Sequence, residues 1–172
     1  MSVFAPTQDN KNEAIIKEVF DRELATVDLT SLLIREIKSY QLILEKISNH
    51  KTTLIFHNTR AQAEIFFHNL WLNNKNNLPI AIHHGSLDLD QRQRVEAAII
   101  RGELRAIVCT GTLDLGIDWN DVDLVIQVGA PKNIKRLVQR IGRANHSYNA
   151  PSKAIIVPAK KFEINESKAA LE

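Results

Sequence analysis

The chain has 172 residues, 22 Lys and Arg against 20 Asp and Glu for a net charge of +2, and 44% hydrophobic content. That suffices for one core at the size of a single domain, and the near-balance of charge means that any nucleic-acid affinity must rest on local patches, not a global positive field. The single cysteine excludes an internal disulfide and a thiolate zinc cluster, while no apolar run reaches the ~20 residues that cross a bilayer and no N-terminal signal pattern occurs, so a soluble, cytoplasmic protein without a membrane partner is expected.

Met1 to Asp28 mix Asn, Gln and charge around a weakly amphipathic stretch, Ala14 to Leu24, and read as a lead-in segment. A single domain is expected over residues 29–172. Leu29 to Ile47 carries Leu32, Leu33, Ile37, Leu44 and Ile47 at helical spacing, with Thr30 or Ser31 as its cap. Five short β-branched or apolar runs follow, at Thr53 to His57, Pro79 to His83, Arg105 to Cys109, Asp123 to Val128 and Lys153 to Pro158, and read as buried strands. Helical patterns separate most of them, at Arg60 to Leu72, Leu89 to Arg101 and Asn133 to Arg143. This alternation predicts an α/β fold with a mainly parallel central sheet flanked by helices. There is no internal repeat or low-complexity linker to suggest a second domain.

Ligands of such sheets gather at the carboxyl ends of the strands. Polar, small-residue loops follow four of the strands: His57-Asn58-Thr59-Arg60, His84-Gly85-Ser86, Thr110-Gly111-Thr112 and Gly129-Ala130-Pro131. Asn58, Thr59 and Arg60 could offer a phosphate free helix amides and a guanidinium, or could be an ordinary cap beside a solvated arginine. TGTLDLGID, from Thr110 to Asp118, suits a strand-to-helix turn that holds phosphate, with Asp118 accepting from a ribose hydroxyl; alone it also fits an ordinary capped loop. His83 and His84 point opposite ways and lack spaced acidic or cysteine ligands, so no metal site is expected, and His84 reads as a hydrogen-bonding residue beside Gly85. Cys109 reads as a small core residue, Trp71 as a cover for the core edge, and Trp119 as an anchor for the loop after Asp118.

Between Lys132 and His146 lie Lys132, Lys135, Arg136, Arg140 and Arg143 and no acidic residue. On a helical period these cations and Gln139 share one side, opposite Ile134, Leu137, Val138 and Ile141. A solvated basic face is the plain interpretation. Gly142, unfavourable in a helix interior, points instead to a close backbone approach and an anionic ligand met by guanidinium groups.

In order, TTLIFHNTR, HHGSL, CTGTLDLGID and QRIGRANH resemble the motifs of the second RecA-like lobe of superfamily 2 DEXH-box helicases. LDLGIDW, DLVIQVGAP and PSKAIIVPAKKFE are most similar to the ligase-associated DNA helicases, relatives of the large helicase-related (Lhr) proteins. The resemblance covers about Leu29 to the end and implies a RecA-like three-layer fold and a motor lobe of an ATP-dependent DNA helicase moving 3′ to 5′ on single strands during repair. It implies that Arg143 is an arginine finger on the γ-phosphate, that Gln139 and Arg140 line the interlobe cleft, and that Gly116 and Asp118 lie near the nucleotide. Asn58, Thr59, Arg60, His84, Gly85, Ser86, Thr110, Gly111 and Thr112 would hold the backbone of single-stranded or partly duplex DNA. Where many members have a third arginine this chain has His146, which leaves the main role to Arg143.

No glycine is followed by lysine and no Asp-Glu dipeptide occurs, so there is neither a Walker A sequence nor a DEXH box. The partner this implies is the first RecA-like lobe of a parent protein, holding most of the ATP and Mg2+, and the chain alone is expected to be inactive. Two other readings stay open: a stand-alone nucleic-acid-binding module without catalysis, and a lobe of an RNA helicase.

Overall fold

A computed structural model describes residues 29–114, 122–129 and 154–157, excluding the side chains of residues 29–38, 112 and 114. Helix α1 (Leu29–Ser48) leads into a sheet of β1 (Thr52–Phe56), β2 (Ile80–His83), β3 (Ala106–Cys109), β4 (Val122–Val128) and β5 (Ala154–Val157). Helices α2 (Arg60–Asn73) and α3 (Leu89–Ile100) connect the first three strands, and a 3-10 turn, Gly111–Asp114, follows β3. The strands lie in the order β2-β3-β1-β4-β5, and every pairing is parallel.

This order dictates which helix covers which face. The β1-to-β2 connection moves two places one way and the β2-to-β3 connection moves one place back, so right-handed crossovers put α2 and α3 on opposite faces. One core layer joins Ile43 and Ile47 of α1 and Ala63, Phe66 and Leu70 of α2 to Ile55, Val108, Leu124, Ile126 and Ile155. The other joins Ile99 of α3 to Leu54, Phe56, Ile107, Val125 and Ile156. Strands packed on both faces need apolar residues at consecutive positions, which is why β1, β3 and β5 read as continuous runs and not as alternating ones. Burying each Leu or Ile in these layers contributes roughly 1.5–3 kcal/mol.

Along β1 and β4 the register shifts: Thr52 pairs with Val122 and Thr53 with Leu124. The extra residue, Asp123, turns its carboxylate back to accept from the amides of Lys51 (3.0 Å) and Thr52 (3.2 Å). The bulge thus anchors the start of the central strand.

All five expected strands are present, within one residue at each described end. The first starts earlier because Thr52 enters the ladder. The second begins at Ile80 because Pro79 has no amide to donate, although its carbonyl accepts from Arg105 and Ala106. Helix α1 has already begun at Leu29, so Thr30 and Ser31 lie in its first turn and not at its cap. Trp71 stacks on Phe67 with ring centroids 6.2 Å apart but is 52% exposed. It shields a neighbour on its own helix instead of closing the core edge. Asn133 to Arg143 lies outside the described residues. No described helix is long and apolar enough to cross a membrane.

Candidate functional site at the carboxyl edge of the sheet

Because every strand is parallel, the loops leaving β1, β2, β3 and β4 open on one edge. At the exit of β1, the amide of His57 donates to the Cys109 carbonyl (2.8 Å), extending the ladder by one step. The His57 ring packs 4.6 Å from Phe66, its Nε2 is buried without a hydrogen-bond partner, and burial pushes its pKa down to about 4. It is therefore neutral near pH 7 and belongs to the core. Thr59 is extended and caps α2, its hydroxyl accepting from the Gln62 amide (3.3 Å). Arg60, the first residue of α2, stays exposed and donates from Nη1 to Ser86 Oγ at 2.6 Å. The loops after β1 and β2 are joined by that bond.

At the exit of β2 the two histidines turn to opposite sides. His83 Nε2 lies 2.9 Å from Glu96 on α3, and His84 Nε2 lies 3.0 Å from Glu64 on α2. The Ser86 amide donates to His84 Nδ1 (3.2 Å), so the ring proton of neutral His84 sits on Nε2 and donates to Glu64. Asp88 accepts from the Gln91 amide (2.8 Å) and caps α3. Among the described residues no three His, Cys, Asp or Glu side chains converge as metal ligands.

After β3, Thr110 donates its amide to the His83 carbonyl (3.3 Å) and accepts at its carbonyl from Leu113 (3.2 Å). Gly111 and Thr112 belong to the 3-10 turn, so the expected strand-to-helix turn opens tightly wound. Cys109 is buried, its thiol 3.6 Å from the Ile55 carbonyl, as a core residue should be. After β4, Gly129 takes φ 83, a conformation that glycine adopts without penalty, and its amide donates to Val157 (2.7 Å). The side chain of Gln127, buried beneath this turn, directs Nε2 toward Val128 O (3.2 Å), Gly129 O (3.5 Å) and Asn58 Oδ1 (3.5 Å).

The structure thus brings Asn58, Thr59, Arg60, His84, Gly85, Ser86, Thr110 and Gly111 to one edge. Gly116, Asp118, Trp119, Gln139, Arg140, Arg143 and His146 lie outside the described residues. Two participants were absent from the sequence expectations. Glu64 lies four residues beyond Arg60, hence on the same side of α2, and Gln127 is the polar residue within the run LVIQV; both were detectable as positions, but their partners were not.

A parallel, three-layer α/β sheet with polar loops gathered on its carboxyl edge is a RecA-like fold. The chain belongs to the helicase conserved C-terminal domain family, which matches residues 32–147. It is 38% identical over 168 residues to the ATP-dependent helicase Lhr-Core protein 2 of Thermococcus barophilus, covering 95% of this chain and 18% of that protein. The Lhr-Core helicase of Methanocaldococcus jannaschii is 39% identical over 129 residues, 74% of this chain and 15% of the relative. Among solved structures, the Mycobacterium smegmatis helicase Lhr bound to single-stranded DNA and AMP-PNP superposes with a TM-score of 0.71 at 33% identity, over 76% of this chain and 18% of that one. The chain therefore spans less than a fifth of the length of these relatives.

Proposed function

We propose that this domain is the second motor lobe of an ATP-dependent DNA helicase, gripping the strand backbone through its carboxyl edge and supplying an arginine finger to ATP. The observation that carries the strand-binding part is the Arg60–Ser86 bond at 2.6 Å, which joins two loops into one surface. Beside it, the Thr59-capped N-terminus of α2 presents free amides, so a phosphate would meet both guanidinium and helix N–H donors without any base being read. The single-stranded DNA held by the similar Lhr structure supports this substrate.

For the nucleotide, the fit rests on strand order. The exits of β3 and β4 flank β1, and the sequence after β3 carries Gly116 and Asp118 while that after β4 carries Gln139, Arg140 and Arg143. Both groups follow strands that end on the same edge. ATP with Mg2+, held mainly by the first lobe of a parent protein, supplies the phosphoryl group. Arg143 would offset charge developing on it, Gln139 and Arg140 would line the cleft, and Gly116 and Asp118 would face the ribose and phosphates. Cleft closure and reopening would shift this lobe's strand contacts relative to those of its partner, giving translocation in repair in the cytoplasm. On this reading the chain alone does not turn over ATP.

The test is Arg143→Ala in the full-length protein. DNA-stimulated ATP hydrolysis should fall roughly a thousandfold or more while single-strand binding changes little. Unchanged turnover removes the finger assignment, and stronger stimulation by RNA than by DNA removes the choice of substrate.

A further inference from the structure

His84 sits at the centre of a closed hydrogen-bond circuit that begins and ends on α2. The Glu64 carboxylate accepts from its Nε2–H at 3.0 Å, its Nδ1 accepts from the Ser86 amide at 3.2 Å, and Ser86 Oγ accepts from Arg60 Nη1 at 2.6 Å. Arg60 and Glu64 are one helical turn apart, so both ends of the circuit have a rigid support. The two partners of the carboxylate–histidine bond differ in exposure: His84 is 3% exposed and Glu64 54%.

That asymmetry decides what Glu64 contributes. An exposed carboxylate paired across a hydrated surface adds little to stability, and at an edge that binds phosphates its charge is repulsive. Its effect falls on the buried ring. A neutral imidazole carries one proton. On Nε2 it satisfies Glu64 and leaves Nδ1 as an acceptor; on Nδ1 it would oppose the Ser86 amide donor to donor, and the β2–α3 turn would lose the bond that holds Ser86 beneath Arg60.

We propose that Glu64 is a positioning residue for strand binding: by holding the His84 proton on Nε2 it fixes the Gly85–Ser86 turn and thereby the direction of the Arg60 guanidinium. This rests on the strand-binding reading above. Glu64 touches no phosphate itself, and it acts through His84 and Ser86 in the way that outer partners orient histidines elsewhere.

The experiment is an ATPase titration of the full-length protein with single-stranded DNA, together with thermal melting of each variant. Glu64→Leu should raise the half-saturating DNA concentration about tenfold, with kcat at saturating DNA within about twofold of the parent. Glu64→Gln keeps an acceptor for Nε2–H and drops the repulsive charge, so its half-saturating concentration should equal the parent value or fall below it. An unshifted half-saturating concentration in Glu64→Leu overturns the proposal, and so does a loss that falls equally on kcat and melting temperature and is not restored by Gln. If DNA does not stimulate the parent at all, the strand-binding reading itself is overturned.

Discussion

The amino and carboxyl edges of the sheet differ in what their long-range side-chain bonds join. At the amino edge, side chains close on nearby backbone: Asp123 takes the amides of Lys51 and Thr52, Arg105 Nη2 donates to Ser48 O at 2.8 Å, and Asn74 brackets Leu78 through both its carbonyl and its amide. At the carboxyl edge, besides the caps of α2 and α3, side chains meet one another across elements: Arg60 with Ser86, His84 with Glu64, His83 with Glu96, and Gln127 with Asn58. That edge also holds the orphaned ring nitrogens His57 Nε2 and His83 Nδ1. Backbone capping fixes where strands begin, whereas side-chain pairs can be exchanged for a ligand without unravelling the sheet. Losing the Asp123 cap is therefore a matter of stability, whereas losing the Arg60–Ser86 pair is a matter of the aim of a binding group.

Substitutions can separate these roles. The largest effect belongs to Arg143→Ala, whose thousandfold loss of turnover should leave the melting temperature unchanged. Next is acid. With the His57 pKa at about 4 in the fold and about 6.5 when unfolded, the unfolded chain binds the extra proton first. The contribution of neutral His57 is complete above pH 6.5 and is lost as pH falls to 4, an expected loss of about 3 kcal/mol. His57→Phe should flatten that part of the stability-against-pH curve in denaturant titrations, and an unchanged curve would show that another group governs it. At the amino edge, Asp123→Ala should destabilise by about 2 kcal/mol in urea unfolding, because two amides lose a charged acceptor, with DNA affinity unaltered. A change in affinity there would break the division between the edges. Smallest is Thr59→Ala, about 1 kcal/mol for the lost cap of α2.

The sheet was readable in the sequence because parallel strands are buried on both faces. TTLIF, AIVC and AIIV are β-branched or apolar at consecutive positions, a pattern that needs no knowledge of neighbours. The four edge loops were readable for the same reason, since strand ends locate them. The circuit through Glu64 was not, because it joins residues 20 and 26 positions apart in sequence through a histidine tautomer. Asp123 looked like the first residue of its strand; its backward turn onto β1 depends on a pairing partner 71 residues away. Ile65 and Leu72 fit the apolar spacing of α2 yet are exposed, because spacing alone does not say which side of a helix meets the sheet.

The strand order also bears on how the chain acquires its structure. β1 pairs with β3 and β4 and not with β2, the next strand in the chain, so the centre of the sheet is made entirely of contacts between distant segments. Such topologies fold slowly, since loop closure precedes any reward from pairing. During synthesis β1 waits with an open edge until Val122–Val128 has emerged, an interval in which TTLIF is open to mispairing.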